Sequence, residues 1–561
     1  MRFSDIQFRY VLISIITFLL QTCIFNMKLT FSALLQETRL FCNRFDENSQ
    51  KLLLDKLKKL SRLTCKNPAD LCSYHNLLMF ICAYPGNSEI LLLAENEFIR
   101  LTNLCKREKS IQKKLPVNEG LPYQQTTTRF TPDFLNWLKQ HDDCRVSFDS
   151  FNDPALNLNE LLSLTLPAVI KAETTAGLGN EALLESMQVT PVRYLDFLLK
   201  QLESLRDKPF VRDLLFEKLD VYVNLEPRNK LFSRAYNRIP VSNLFFHADL
   251  VKQFDMDELL QKALPMLKKP DLMYKRTCIK VIKNSMALTA RETDPVTYMD
   301  ENSFRIYELE RGISIAIYGM IPERQLPYES YVGFTLFKNG FPCSYGGAWV
   351  FGQRARFGMN ILESFRGGES GYVMCQLLRV YKQVFSISCF EIEPYQYGLD
   401  NPDGIKSGAF WFYYRFGFRP LDKVLRKLAE TEQHKIKTRK NYRSSEKILL
   451  QFTESNLELN TGNANLPQVT DIIEKIKKLI THTYKNNAAL AETEAIESFL
   501  QQTSFALPKK ETERKILTEF ALWAKAMNMD NREKLRLLAE AVRLKANNLY
   551  RYQQQLIEFF N

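Results

Sequence analysis

The chain has 561 residues, 45% hydrophobic and 25% charged, with a formal net charge of +12. That length exceeds what one core supports, so roughly two to four domains are expected, and the ordinary globular composition excludes a low-complexity or fibrous chain. The basic balance suits an anionic partner (nucleic acid, a membrane surface or a phosphate-bearing cofactor) and suits plain surface solubility equally well.

From the N-terminus, residues 11–25 form an uncharged, mostly apolar run behind Arg2 and Arg9. The run lacks a small-residue cleavage site and is short for a spanning helix. Signal peptide, membrane anchor, and a stretch preceding a working start at Met27 are the three readings. Met27 opens directly into an amphipathic helix, so that start, or another non-secretory role, is preferred, and residues 1–27 are set apart.

Residues 28–295 read as mostly helical. Leu52, Leu53, Leu57 and Leu60 recur at helical spacing with lysines opposite. Asn67 before Pro68 and Thr131 before Pro132 each place a capping residue ahead of a proline at the first helical position. Residues 192–205 and 207–220 continue the helical pattern. Gly177 and Gly179 give a lone GxG on no strand, which reads as a loop.

The character changes over residues 296–430. Residues 304–312 and 314–318 read as two strands around a tight turn. Residues 331–337 and 345–351 flank Asn339 and Gly340, a pair that tolerates positive φ and marks a hairpin. Residues 356–365 read as a further strand, 372–385 as a helix and 386–393 as a strand. That last strand–helix–strand unit should be parallel and right-handed. Antiparallel hairpins leading into one such crossover make a mixed sheet in an α+β domain. Arg366, Gly367, Gly368, Glu369, Ser370 and Gly371 join strand to helix. A glycine-rich turn feeding a helix N-terminus is a natural cradle for phosphate, because backbone N–H groups point outward there. Downstream, Ala409 opens a short aromatic helix that stops at Gly417 and re-enters a strand at Phe418.

Residues 431–468 read as a basic segment followed by a linker at 455–468, and 469–561 as a helical C-terminal region. The 435–447 run reads as a solvated face rather than a nucleic-acid patch, since only Tyr442 interleaves it. Residues 530–533 form a capping-box start for a helix carrying Leu535, Leu538 and Val542. Eleven cysteines without a CxxC pair and five dispersed histidines show no zinc spacing. An odd cysteine count with no framework points to a reducing compartment. The expected location is therefore cytoplasmic, with anchoring through residues 11–25 as the alternative, and no metal is expected.

The elements of 300–430 resemble the GNAT N-acyltransferase superfamily. That fold has a strand ending in an Arg/Gln-x-x-Gly-x-Gly/Ala turn, a helix, a parallel strand, and a helix with Ala-x-x-x-Tyr-x-x-x-Gly-Phe. Ala409, Tyr413, Gly417 and Phe418 match the second motif; Arg366 and Gly371 match the first. Glu369 stands where glycine is usual, Gly367 and Gly368 are extra, and Lys406 stands where an asparagine is frequent. With its helical N-terminal region the chain looks like a bacterial family of two-part proteins, a likeness that supplies no reaction.

The resemblance implies an acyl-CoA or acetyl-CoA donor and an amine acceptor. The pyrophosphate would sit on the amides of residues 367–371, Glu369 and Ser370 included, with Arg366 as charge partner. The pantetheine arm would lie between splayed strands. Tyr413 would protonate the departing thiolate, and Glu393 or Glu363 would serve as base. The plain alternatives are a structural Arg366–Glu369 pair, a Tyr413 packed as core, and solvated carboxylates. Two rival functions stand beside the transferase: a non-catalytic GNAT-like ligand-binding or interaction module, and a membrane-associated or aminoacyl-type transferase using another carrier.

Overall fold

The computed structural model describes residues 30–175, 177–267, 269–462 and 466–561. The 11–25 run and Met27 lie outside the described residues. Among the described residues no helix is long and apolar enough to cross a membrane. The molecule is largely helical around a mixed eight-stranded sheet.

Both proline-preceded caps form. Asn67 accepts from the Ala69 amide at the start of helix Pro68–Ala83, and Thr131 accepts from Phe134 at the start of Pro132–Lys139. Helix Glu47–Arg62 buries Leu53, Leu57 and Leu60, while Leu52 turns out to solvent at 44% exposure. The helical reading of this region missed a small antiparallel sheet of β1 (Thr126–Thr128), β2 (Cys144–Phe151) and β3 (Val221–Pro227), ordered β1-β3-β2. Val221, Val223 and Leu225 are buried alternately, which is strand periodicity, and the preceding helix ends at Leu219 because Asp220 turns left-handed.

The large sheet comprises β4 (Met299–Glu308), β5 (Ile313–Met320), β6 (Ser330–Lys338), β7 (Phe341–Phe351), β8 (Arg354–Ile361), β9 (Cys389–Ile392), β10 (Arg419–Pro420) and β11 (Leu457–Asn460). Strands β4 to β8 form an antiparallel meander. The β6–β7 turn places Asn339 and Gly340 at φ 45° and 85°, as a two-residue hairpin requires. Helix Ser370–Phe385 then crosses over, and β9 pairs parallel to β8. Strand β8 ends at Ile361, earlier than expected, so Glu363 sits on a 3-10 turn. The 455–468 stretch is not wholly a linker. Leu457 and Leu459 are buried in alternation, and β11 pairs antiparallel with β9. The capping residue of helix Arg532–Asn547 is Asn531, one place beyond Asp530.

Burial follows two clusters. One runs from Leu34 to Leu459, so the N-terminal helices and the sheet share it. The other fills the C-terminal helices and takes in Phe351 from the end of β7 and Tyr328 from the β5–β6 connection. Helix Ser370–Phe385 covers one sheet face: the Tyr381 ring meets Phe334 and Phe357, and its hydroxyl donates to the Val332 carbonyl at 2.6 Å. The hairpin tip is bound into the N-terminal region. The Asn339 amide donates to the Ala83 and Phe245 carbonyls, and its oxygen accepts from the Phe245 amide.

Candidate functional site

The parallel pair is the geometric centre of the site. β8 and β9 are in register only over Arg354–Cys389, Ala355–Phe390 and Arg356–Glu391. Beyond that, β9 ends at Ile392 while β8 runs on to Ile361, so the parallel ladder stops and the rest of β8 has no β9 partner. Gln396 reaches this stretch: its side-chain oxygen accepts from the Met359 amide at 3.3 Å, and a Cβ on Gly358 would meet its Nε2 at 2.9 Å. The edge of β8 beyond the β9 ladder therefore already bonds an amide group, here one supplied by the protein itself.

The glycine turn follows directly. Gly367 sits at φ +88° with open space around it. A Cβ on Gly368 would lie 2.8 Å from the Tyr84 hydroxyl oxygen, and one on Gly371 2.3 Å from Cζ of Phe416. Arg366 is exposed, its Nε donating to the Ile361 carbonyl at 3.4 Å. No side chain caps the first turn of helix Ser370–Phe385. Backbone donors at such an end need an outside acceptor.

Glu369 does not pair with Arg366. Its carboxylate turns inward, 2.6 Å from Lys338 and 2.7 Å from Arg311, and accepts from the Val251 amide. The Lys338 and Glu369 side chains are both 0% exposed. Burial lowers Lys338, and the Glu369 charge opposes that shift.

Tyr413 lies on helix Ala409–Arg415, which starts after a left-handed Gly408. The side chain is buried, its ring against Phe412 and Phe418. Burial pushes the phenol pKa up from its ordinary value. The same aromatic run brings Phe416 onto Gly371, which draws this helix up to the glycine turn. Glu393 is exposed just past β9 and sits 3.3 Å from Arg356, whose guanidinium also binds both oxygens of Glu329 at 2.8 Å. Glu363 is exposed before the glycine turn. Lys406 is exposed on helix Pro402–Ser407, and the cap of that helix is Asn401, which accepts from Gly404.

Sequence reasoning missed Gln396, Tyr84, Lys338, Arg311 and Phe416. Gln396, Tyr84, Lys338 and Arg311 reach the site from separate elements, so no local spacing announces them, whereas Phe416 closes the aromatic run of Tyr413 and Lys338 precedes the Asn-Gly turn. Among the described residues no cluster of His, Cys, Asp and Glu could hold a metal ion. Comparison with family models, curated proteins and solved structures yields no match for this chain.

Proposed function

We propose that the protein is an acyl-CoA-dependent N-acyltransferase, with a GNAT-like domain that moves an acyl group to an amine. One observation carries the reading: a parallel strand pair whose ladder stops short beside a glycine-opened, uncapped helix start. Such a start accepts phosphate oxygens on its amides, and Arg366 stands outside it as an exposed cation. The glutamate in place of a usual glycine is no obstacle, because its carboxylate is taken up internally by Lys338 and Arg311. The free edge of β8 suits amide groups, as Gln396 demonstrates. When bound, the donor supplies a thioester carbonyl as electrophile. Glu393 or Glu363, directly or through water, takes the proton from the incoming amine. Tyr413, a protonated phenol at neutral pH, would be the acid for the leaving thiolate.

Titration of thermal stability with acetyl-CoA and longer acyl-CoAs tests the donor, since a ligand of the native state must raise it. Arg366→Ala should weaken the shift. Gly371→Val is the poorer probe, because its side chain would strike Phe416. No shift at saturating concentrations of several acyl-CoAs sinks the reading. For the acid role, Tyr413→Phe should lower turnover and leave donor affinity almost unchanged.

A second reading, a non-catalytic GNAT-like module, is favoured by Gln396, which bonds the edge of β8 beyond the β9 ladder with the protein's own amide. Donor binding with no turnover across peptide amines, polyamines and aminoacyl compounds would select it.

A further inference from the structure

A cleft of about 700 Å³ lies between the C-terminal helices, the 322–326 segment and residues 206–211. Phe210, Leu326, Ile516, Glu519 and Lys545 are among the residues that line it. Lys545, on helix Arg532–Asn547, is only 8% exposed. Its Nζ donates to the Leu326 carbonyl at 2.8 Å and the Glu329 carbonyl at 3.0 Å. The Glu329 carboxylate is turned away onto Arg356. The Tyr552 ring, from helix Leu549–Phe560, lies 5.0 Å from the amine. Glu519, from helix Glu511–Ala526, acts on Lys545 through space, and burial pushes its own carboxyl up against the pull of Lys545 and Lys515.

Two carbonyl acceptors match the two N–H donors of a neutral amine. The nitrogen lone pair then occupies the remaining tetrahedral position. A charged ammonium would carry a third proton beyond those two acceptors. Burial lowers the amine to about 7, against the pull of Glu519 and Glu329. Near that value a substantial share is neutral at pH 7, against roughly one in three thousand for an ordinary lysine.

We propose that Lys545 is a covalent acylation site, whose amine takes an acyl group from an activated donor, a thioester or an acyl phosphate, entering this cleft. The lone pair forms the C–N bond, and the C–S or C–O bond breaks. The departing thiolate or phosphate keeps the electron pair, and the nitrogen releases one proton to water. The product amide retains one N–H. It can satisfy only one of the Leu326 and Glu329 carbonyls, and the acyl group extends into the cleft. Acylation therefore loosens the joint between the C-terminal helices and the sheet.

The test incubates the full chain at pH 7 with acetyl-CoA in one arm and acetyl phosphate in the other, and follows each lysine by peptide mass spectrometry. Lys545 should react about tenfold faster than exposed Lys475 and Lys477 in at least one arm, the neutral-fraction advantage being partly lost to restricted access. Its rate should level off above about pH 8, while theirs keep climbing. Lys545→Arg should remove one acetyl group per chain. A rate at Lys545 no higher than at Lys475 and Lys477 in both arms overturns the proposal, as a purely structural tether would behave in that way. Reaction with acetyl phosphate alone would support acylation while giving no support to the CoA site. A stability shift with acetyl-CoA but an inert Lys545 would do the reverse.

Discussion

Lys338 and Lys545 each tie one part of the chain to another through a buried amine, and they do so with different partners. Lys338 ends β6 and meets the Glu369 carboxylate at 2.6 Å, with the Tyr84 ring 4.8 Å away. Lys545 meets two backbone carbonyls and, among the described residues, no carboxylate at contact distance. Burial lowers both amines. At Lys338 a contacting anion opposes the shift, and Arg311 on the far side of Glu369 makes the cluster a network. At Lys545 the opposing charges act only through space. A buried lysine thus serves as a charged rivet where a carboxylate is buried with it, and as a titratable amine where only neutral acceptors are supplied.

The strongest way to break this contrast is Glu369→Ala. It strands Lys338 and Arg311 in a buried site, which should cost about 3–5 kcal/mol. Denaturant unfolding measures it. Adding Lys338→Met should recover part of the loss, since one stranded charge is then gone. A cost below about 1 kcal/mol for Glu369→Ala would show that water reaches the cluster.

Next comes the hairpin tip beside it. Asn339→Ala removes two donated bonds and one accepted bond at a buried turn, and places alanine at positive φ. About 2–3 kcal/mol should be lost, with the β6–β7 hairpin loosened from the N-terminal region.

These two sites also show what was legible in the chain. Asn339 and Gly340 announce their turn because its backbone needs are local. The β8–helix–β9 crossover is readable for the same reason: a glycine-rich joint separates two clear periodicities. The partners of Glu369 are not readable, since Arg311 and Lys338 come from the two ends of the β5–β6 hairpin and Val251 from a loop. β11 was hidden by its length. Four residues, Leu457, Glu458, Leu459 and Asn460, alternate correctly, yet they stand among asparagines, a serine and a glycine that speak for a linker. The small sheet failed for a related reason, as β1 is three threonines and β2 buries only its first residue fully. In the site itself, the turn and Tyr413 were local signals, whereas Gln396 and Tyr84 act across distances that no spacing rule covers.

Lys545→Met should change stability by about 1 kcal/mol or less at pH 7, because two carbonyls lose a donor while an expensive buried amine is removed. The pH dependence is sharper. The folded amine titrates near 7 and the unfolded one near its ordinary value of 10.5. Between those values the unfolded chain binds the extra proton. Stability should therefore rise as pH goes from about 7 towards 10, by up to about 1.4 kcal/mol per unit, and this contribution should be flat below 7. Lys545→Met should flatten that rise by the Lys545 share, while Lys338, also lowered by burial, adds a share of its own that this variant leaves in place. Equal slopes in wild type and Lys545→Met would remove the distinction between the two lysines.

The smallest expected effect on folding belongs to Arg366, three residues before Glu369 in the same turn. Glu369 points in and is held by two cations; Arg366 points out and makes one long bond to the Ile361 carbonyl. An exposed side chain with that single contact contributes little, so Arg366→Glu should shift stability by less than about 0.5 kcal/mol. Its consequence should appear only when an anion is offered. Charge reversal beside uncapped helix amides repels phosphate, so the acyl-CoA-induced rise in melting temperature should vanish in Arg366→Glu and fall by part in Arg366→Ala. High salt should mimic the alanine variant by screening the exposed guanidinium. If Arg366→Glu unfolds the chain as readily as Glu369→Ala does, the turn is a structural corner throughout, and its outward half has no claim to a ligand.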